Sequence, residues 1–217
     1  MKTSANGIRS NRLISRVSIQ ALIGALILST LSLAVQAKPK NSFGVDIDNF
    51  GQISKDYYRG AQPDSNGFAQ LKKLGVKTVI DLQDDGKAQE EAWVRNAGMQ
   101  YFRVPLSSTD KAGDQQAAYF LSLVNNPDNL PVYVHCAGGR HRTGEMTAIY
   151  RITHDGWTAD QAFQEMKQYD WYGRMGHGPT KDYVYDYFNR YQNSSISFSN
   201  GTIMVVERKA ATGTTGK

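Results

Sequence analysis

The sequence contains a single cysteine, Cys136, among its 217 residues. One thiol cannot form a disulfide within the chain, and its distance from the N-terminus excludes the lipid-bearing cysteine of a lipoprotein. A lone cysteine without further context is typically buried and inert, whereas an unpaired thiol in an exported protein is a candidate reactive group. The residues that flank Cys136 therefore have to distinguish between these two roles.

The sequence also lacks a basic stripe outside its N-terminal segment. The formal net charge is +5, but residues 1–37 contain four basic side chains and no acidic one, which leaves +1 for the remainder. Proteins that bind nucleic acids concentrate positive charge on one face or along one helix. We therefore expect no nucleic-acid partner.

No apolar run in the chain reaches the roughly 20 residues that span a bilayer. The longest covers 21–35, follows a basic segment and ends at Val35-Gln36-Ala37, where small residues suit a signal peptidase. This pattern predicts a signal peptide over 1–37, a periplasmic or secreted protein, and no stable membrane span after cleavage. An uncleaved membrane anchor is the alternative.

The mature chain alternates between apolar strand-like runs and helical segments. Strands are expected at 76–82, 99–106 and 132–135, with helices at 115–125 and 143–154. Such alternation favours an α/β fold, a single domain with a central, mostly parallel sheet flanked by helices. Ligands of such sheets bind beyond the carboxyl ends of the strands.

Three sections are expected along the chain: the signal peptide 1–37, a catalytic domain over 38–192 and a tail over 193–217. Serine, threonine and glycine dominate this tail, which predicts a flexible segment with a short strand at 202–206. The sequence does not indicate an oligomeric state.

A strand, a tight glycine loop and a helix surround the cysteine. The segment reads His135, Cys136, Ala137, Gly138, Gly139, Arg140, His141, Arg142, Thr143 and Gly144. A loop of this kind directs backbone N–H groups and a helix N-terminus to one point, which makes an anion site. A cysteine at its start and an arginine at its end suggest a thiolate that attacks a bound phosphoryl group.

Each residue type in this loop suits that chemistry. A free thiol has a pKa of about 8.5, and a helix N-terminus with nearby cations can lower it to roughly 3.5–7.5. The planar guanidinium of Arg142 can hold two phosphoryl oxygens, which a lysine cannot do. Gly138 and Gly139 let the backbone approach the anion closely. The Thr143 hydroxyl can donate to the sulfur of Cys136 as it leaves.

A cysteine followed by five residues, then arginine and threonine, and preceded by histidine, resembles the signature of the protein-tyrosine phosphatase superfamily. The blocks at 58–63 and 75–82 are similar to early blocks of dual-specificity phosphatases. The run 139–144 is similar to the plant and fungal atypical members, which carry lysine where Arg140 stands. The resemblance covers roughly residues 43–192.

This resemblance implies a role for each motif residue. Cys136 would be the nucleophile that forms a phosphocysteine, Arg142 the transition-state clamp, Thr143 the supporting hydroxyl and His135 the residue that orders the loop. No metal and no organic cofactor is implied. The implied partner is a phosphorylated protein or an inositol phosphate.

The rest of the loop is expected to bind the substrate. The backbone of Ala137, Gly138 and Gly139 would surround the phosphoryl oxygens. Arg140 and His141 either ring the mouth of the pocket or recognise additional phosphates, since paired cations suit polyanions.

The family also uses an aspartate on a separate loop as general acid. Asp110 is favoured over Asp114 because Asp114 is expected to cap the following helix. Asp84 and Asp85 are weaker candidates that favour a plain turn.

Two residues outside the motif are expected to have structural roles. Arg59 could orient a neighbouring loop. His177, in a glycine-rich connection, could line the site, but a histidine in such a loop is more often structural or solvated.

The sequence thus predicts a cysteine-dependent phosphatase that acts on phosphotyrosine, phosphoserine or phosphothreonine in proteins. An inositol polyphosphate phosphatase is the main alternative. A rhodanese-like sulfurtransferase is disfavoured because its cysteine loop is one residue shorter. A non-catalytic phosphate-binding module is disfavoured because binding alone needs no thiol.

Overall fold

A computed structural model describes residues 43–199 and 202–207 of the chain. All of these residues belong to one compact unit. The signal peptide predicted over 1–37 lies outside the described residues. Within the described part, no helix is both long enough and apolar enough to cross a membrane.

A five-stranded sheet forms the centre of the domain. Its strands are Gly51–Ser54 (β1), Tyr57–Ala61 (β2), Thr78–Gln83 (β3), Gln100–Leu106 (β4) and Val132–Cys136 (β5). They lie in the order β1-β2-β5-β3-β4. β2, β5, β3 and β4 are parallel to their neighbours, and β1 pairs antiparallel with β2. The prediction of a single α/β domain with a mostly parallel sheet is confirmed.

Six helices flank this sheet in the described part of the chain. They are Ser65–Lys73 (α1), Glu90–Asn96 (α2), Asp114–Val124 (α3), Arg142–His154 (α4), Ala159–Gln168 (α5) and Gly178–Asn193 (α6), with a 3-10 turn at Pro127–Asn129. Local capping sets two of their starts. The Asp64 carboxylate accepts the backbone N–H of Gly67 before α1, and Thr158 with Gln161 forms a capping box before α5.

The central strand β5 divides its side chains between two apolar cores. Val132, Val134 and Cys136 belong to the core packed beneath α3, α4, α5 and α6, whereas Tyr133 belongs to the core beneath α1 and α2. Successive side chains of a strand point to opposite faces. Cys136 therefore lies on the four-helix face, and His135 lies on the opposite face.

The carboxyl ends of the parallel strands bring three loops to one edge of the sheet. β5 ends at Cys136, β3 ends just before Asp84, and β4 ends at Leu106, just before the loop 107–113. We call residues 136–142 the cysteine loop and residues 107–113 the acid loop. Their meeting at this edge is the arrangement that open α/β sheets use to bind ligands.

Two strands lie in the described part of the segment 193–217, for which a tail with one short strand is expected; residues 200–201 and 208–217 of it lie outside the described residues. Ser194–Ser199 (β6) pairs antiparallel with Thr202–Glu207 (β7) in a separate two-stranded sheet. β7 contains the short strand expected at 202–206. The missed signal is the alternation of serine with Ile196 and Phe198, a two-residue period typical of a strand.

Candidate active site

A cavity of about 190 Å³ opens at the carboxyl end of β5. Its lining consists of Ser108, Cys136, Ala137, Gly138, Arg140, His141, Arg142, Tyr172 and His177. Most residues that the sequence predicted for nucleophile, clamp and substrate binding thus share one pocket. Gly139, Thr143 and His135 lie behind this lining and support it.

The Cys136 thiol is almost completely buried, with 4% of the residue exposed. Burial by itself would raise the pKa of this thiol, but hydrogen bonding from the Thr143 hydroxyl and backbone, the charge of Arg142 and the Gly139 N–H together lower it. The Thr143 hydroxyl is buried, so it has no access to solvent. The loop therefore favours the thiolate, the form that attacks phosphorus.

Two aspartates hold the guanidinium of Arg142 from the side of β3. Its Nη1 lies 3.2 Å from Asp84 Oδ1 and 2.9 Å from Asp85 Oδ1, and it also donates to the Leu106 carbonyl at 3.2 Å. No described residue accepts a hydrogen bond from Nε or Nη2, which leaves this edge for two phosphoryl oxygens. The plain turn predicted at Asp84 and Asp85 is thus corrected, because both carboxylates orient the arginine.

The charge of Arg142 also acts on these carboxylates. Its hydrogen bond to Asp85 lowers the pKa of that carboxyl, although Asp85 is largely exposed. A negative charge therefore faces the clamp in the free protein. An incoming phosphoryl group meets an arginine that is already aligned.

The backbone of the cysteine loop is held by side chains from the first half of the domain. Arg59 Nη2 donates to the Gly139 carbonyl at 2.6 Å, and Asn49 Nδ2 donates to the Gly138 carbonyl at 2.8 Å. Gly139 has φ +66°, and a Cβ atom there would overlap the Gly60 backbone. The structural role expected for Arg59 is confirmed. Asn49 carried no sequence signal that linked it to the loop.

Arg59 itself is fully buried beneath the loop. Its guanidinium carbon lies 3.9 Å from the centroid of the Tyr169 ring, and burial lowers the pKa of the side chain. A cation over an aromatic face is stabilised by the ring quadrupole. Tyr169 thus helps to retain the charge that holds Gly139.

His135 supports the loop from the opposite face of the sheet. Its Nε2 forms an ion pair with Glu90 Oε1 at 2.7 Å, and both side chains are fully buried. Burial would lower the pKa of His135, but the contact with Glu90 and the charges of Glu90, Asp81 and Cys136 raise it. Glu90, at the start of α2, is a supporting residue that sequence reasoning missed.

Asp81, Glu90 and His135 place their potential ligand atoms within 4.8 Å of one another, as a metal site would require. These carboxylates already have protein partners. Asp81 accepts from Tyr101 and Arg103, and Glu90 accepts from the Gln62 side chain. The cluster is therefore explained as a buried hydrogen-bond and ion-pair network without a metal.

The outer wall of the pocket contains two stacked histidines. The rings of His141 and His177 lie 3.7 Å apart at 12°, with His141 Nε2 donating to the Tyr172 carbonyl at 3.1 Å. Burial, with a smaller effect of His177, lowers the pKa of His141 to about 4. The expectation of a merely structural or solvated His177 is corrected, because His177 lines the pocket. The surrounding aromatic and glycine-rich stretch at 171–179 was the signal for it.

Arg140 is the half-exposed cation of the pocket rim. Its Nε lies 3.9 Å from Asp170 Oδ2, and 35% of its side chain is exposed. The side chain can therefore meet a group that projects from the pocket.

The acid loop contributes Ser108 to the lining of the pocket. The carboxylate of this loop, Asp110, follows Ser108 by two residues. Asp110 Oδ2 accepts from Ser107 Oγ at 2.8 Å at the exposed surface, and Asp110 is not among the described residues that line the cavity. His177 Nδ1 donates to the Ser108 carbonyl at 2.8 Å. The acid loop is thus connected directly to the outer pocket wall.

The cap predicted at Asp114 is wrong. Gly113 is the N-cap of α3, and Asp114 is the first helical residue. Asp114 Oδ1 accepts instead from the Tyr183 hydroxyl at 2.9 Å and from Arg190 at 2.7 Å. Asp114 therefore has another structural task than the predicted cap, and the role of Asp110 as general acid stays a prediction.

Comparison with known proteins agrees with this geometry. A sequence model described as the tyrosine phosphatase family matches residues 44–197. The chain belongs to this family. It is a cysteine-dependent phosphatase, and the resemblance predicted from the cysteine loop is confirmed.

Individual relatives include enzymes named for two kinds of substrate. The dual specificity protein phosphatase TpbA of Pseudomonas aeruginosa is 31% identical over 70% of this chain and 71% of its own length. The inositol diphosphatase SIW14 of Saccharomyces cerevisiae is 25% identical over 56% of this chain and 45% of its own length. A crystal structure of a P. aeruginosa TpbA variant in complex with pTyr superposes with a TM-score of 0.55 at 28% identity, covering 63% of this chain and 82% of that chain.

Proposed function

We propose that this protein is an exported phosphatase that removes phosphate from phosphotyrosine, and also from phosphoserine and phosphothreonine, in proteins. The observation that carries the reaction is a pocket lined both by a buried Cys136, with its pKa lowered, and by Arg142, whose charge contributes to that lowering. The periplasmic or secreted location rests on the N-terminal segment 1–37 of the sequence.

In the first step, the Cys136 thiolate attacks the phosphorus atom of the ester. A sulfur–phosphorus bond forms, and the bond between phosphorus and the leaving oxygen breaks. Arg142 and the backbone N–H groups of the cysteine loop hold the other three phosphoryl oxygens, where charge develops in the transition state. Asp110 gives its proton to the leaving oxygen, which requires its carboxyl to reach inward from the exposed acid loop, past Ser108.

In the second step, water attacks the phosphocysteine. Asp110, now ionised, takes a proton from this water, and the sulfur–phosphorus bond breaks to release inorganic phosphate. The Thr143 hydroxyl donates a hydrogen bond to the departing sulfur and stabilises the returning thiolate. Apart from Asp110 and Cys136, no protein group needs to change its charge during the cycle.

A phosphotyrosine substrate fits the composition of the pocket walls. Tyr172 and His177 contribute aromatic rings to the lining of the cavity, and His141 is neutral at pH 7 because its pKa is lowered to about 4. An aryl ester gains contact with such rings, which prefer stacked or edge-to-face arrangements. The binding of pTyr by a TpbA variant of the same fold supports this choice.

An inositol polyphosphate is the second candidate substrate. The half-exposed Arg140 at the rim favours it, since that side chain can contact a phosphate next to the one being cleaved. The relative SIW14, named an inositol diphosphatase, supports the same possibility. The two substrates therefore differ in the residues that they contact outside the cysteine-loop backbone. Phosphotyrosine would contact the aromatic rings of the pocket, and an inositol polyphosphate would contact Arg140.

A substrate panel tests the proposal. Purified protein without added metal should hydrolyse p-nitrophenyl phosphate and be inhibited by vanadate, and Cys136→Ser should abolish turnover. Phosphotyrosine peptides should then exceed inositol polyphosphates and nucleotides in kcat/KM. A higher kcat/KM for an inositol polyphosphate, lost selectively in Arg140→Ala, would favour the second candidate.

Export has its own test. Expression of the full chain followed by cell fractionation and N-terminal sequencing should give a mature protein that begins at about residue 38, in the periplasm or the medium. An intact Met1 in the cytoplasmic fraction would contradict the proposed location and leave the proposed chemistry untouched.

A further inference from the structure

A carboxyl group that the proposed reaction does not use lies buried beneath the active site. Glu145 belongs to the first turn of α4, three residues after Arg142, and is fully buried. Neither its side chain nor that of any other described acidic residue lines the pocket. A buried carboxyl is costly unless it is neutral or has a partner, so its place in the fold needs an explanation.

The partner of Glu145 comes from the acid loop. Glu145 Oε1 accepts the backbone N–H of Ala112 at 3.3 Å, and Ala112 follows Asp110 by two residues. Glu145 Oε2 is buried and has no hydrogen-bond partner among the described residues. A side chain of the cysteine-loop helix is thus bonded to the backbone of the acid loop, 33 positions away in sequence.

The charge state of this carboxyl suits its position. Burial raises the pKa of Glu145 to about 8, the Ala112 N–H opposes this rise, and the charge of Cys136 adds to it. At neutral pH the group therefore keeps its proton. A neutral carboxyl can lie near the thiolate without repelling it and still accept a hydrogen bond through its carbonyl oxygen.

The other attachments of the acid loop lie nearer to the surface. Lys111 pairs with Asp186 at 2.6 Å with both side chains about half exposed, and such pairs contribute little. His177 holds Ser108 from the outer wall. The bond from Glu145 is the buried one, and it joins the loop to the helix that carries Arg142.

We propose that Glu145 is a positioning residue that sets where the acid loop stands relative to Cys136, and so whether Asp110 reaches the leaving oxygen. The proposal rests on the role of Asp110 as general acid. Glu145 touches neither the substrate nor the reacting atoms. Its loss should therefore impair only the part of catalysis that depends on proton donation.

Leaving-group dependence provides the readout. A series of aryl phosphates with leaving-group pKa from about 5 to about 10 separates reactions that need a proton donor from those that do not. Glu145→Met keeps the length of the side chain and removes the acceptor. It should lower kcat about tenfold for the poorest leaving groups and less than about twofold for the best, because small displacements of a reacting group are costly.

Rescue and non-additivity sharpen the test. Glu145→Gln resembles the neutral carboxyl and should stay within about twofold of the parent for every substrate, since an amide oxygen also accepts. Asp110→Asn combined with Glu145→Met should be no slower than Asp110→Asn alone, because the tether has no purpose once the acid is gone. The matched control for the amide substitution is Glu165→Gln. Glu165 is a buried carboxylate on α5 that pairs with Arg151.

Each outcome decides between the proposals. An equal loss for all leaving groups, or losses that multiply in the double variant, would show a structural role and overturn the proposal. If Asp110→Asn leaves the leaving-group dependence unchanged, the acid assignment fails, and the Glu145 proposal fails with it. If Glu145→Met has parental kinetics while Asp110→Asn shows the expected leaving-group dependence, the Glu145 proposal fails and the acid assignment stands. Should Glu145→Met not fold, Glu145→Asp, which draws the acceptor back from Ala112, must show the same selective loss.

Discussion

The cysteine loop and the acid loop face the same pocket but are held in different ways. The cysteine loop is fixed by buried side chains on several sides, with Arg59 and Asn49 bonded to its carbonyls and the His135–Glu90 pair behind it. The acid loop is exposed, and Asp110 bonds mainly within it, to Ser107. The groups that bind phosphate are therefore preorganised in the free protein, while the proton donor is placed by a few longer-range contacts.

This difference follows from what each loop must do. Transition-state charge is stabilised best by dipoles that need no reorganisation during the reaction, which requires a rigid cysteine loop. A general acid must reach a leaving group that enters with the substrate, and an exposed loop leaves room for that entry. Changes in the cysteine loop should thus be severe for every substrate, and changes in the acid loop should depend on the substrate.

The largest effect is expected for Arg142→Lys. The ammonium group cannot offer two parallel donors to phosphoryl oxygens, and Asp84 and Asp85 would draw it toward β3. We expect kcat/KM for p-nitrophenyl phosphate to fall about 10³-fold, near the upper range for the loss of a transition-state donor. Steady-state kinetics with equal loss across leaving groups would support a rigid clamp. A loss of less than tenfold would argue against it.

Glu90→Gln should break the support behind the cysteine loop. Glu90 raises the pKa of buried His135, so the pair stabilises the fold below the unfolded pKa of histidine, about 6.5, and this contribution is lost as pH rises through the higher folded value. Removing one member of a buried pair costs about 3–5 kcal/mol. Thermal unfolding at pH 5 to 9 should show the largest difference from the parent at low pH. A difference independent of pH would contradict the ion pair.

Asp110→Asn should reveal the acid loop by its selectivity. The variant cannot donate a proton, and we expect a loss of about 10²-fold for aryl phosphates with poor leaving groups. For p-nitrophenyl phosphate the loss should be much smaller. Because Asp110 is exposed, thermal stability should change by less than about 0.5 kcal/mol. An equal loss for all substrates would remove Asp110 from the reaction.

The smallest effect is expected for Thr143→Val. The buried hydroxyl helps to lower the pKa of Cys136, so its removal should move that pKa upward. The rate of alkylation by iodoacetamide, followed from pH 4 to 9, measures the thiolate directly. The midpoint should lie below that of free cysteine in the parent and rise in the variant. An unchanged midpoint would show that the hydroxyl does not serve the sulfur.

Much of the fold was predictable because its signals are local. The strand predicted at 76–82 and the helices predicted at 115–125 and 143–154 each depend on a few neighbouring residues, and they correspond to β3, α3 and α4. The cap predicted at Asp114 was wrong, and the turn at Asp84 and Asp85 has a role beyond the one predicted. At both sites a distant partner determines the role, Tyr183 and Arg190 for Asp114 and Arg142 for the aspartates.

The chemistry of the pocket was determined by a contiguous stretch of sequence. Residues 135–144 contain the thiol, the clamp arginine, the glycines and the hydroxyl in one strand–loop–helix unit, so spacing alone brings them together. What holds that unit was decided by tertiary structure. Arg59 and Gly139 are 80 positions apart, His177 and Ser108 are 69 apart, and Glu145 and Ala112 are 33 apart. The folded sheet brings such pairs into contact, and no local periodicity records which distant backbone group a side chain will meet.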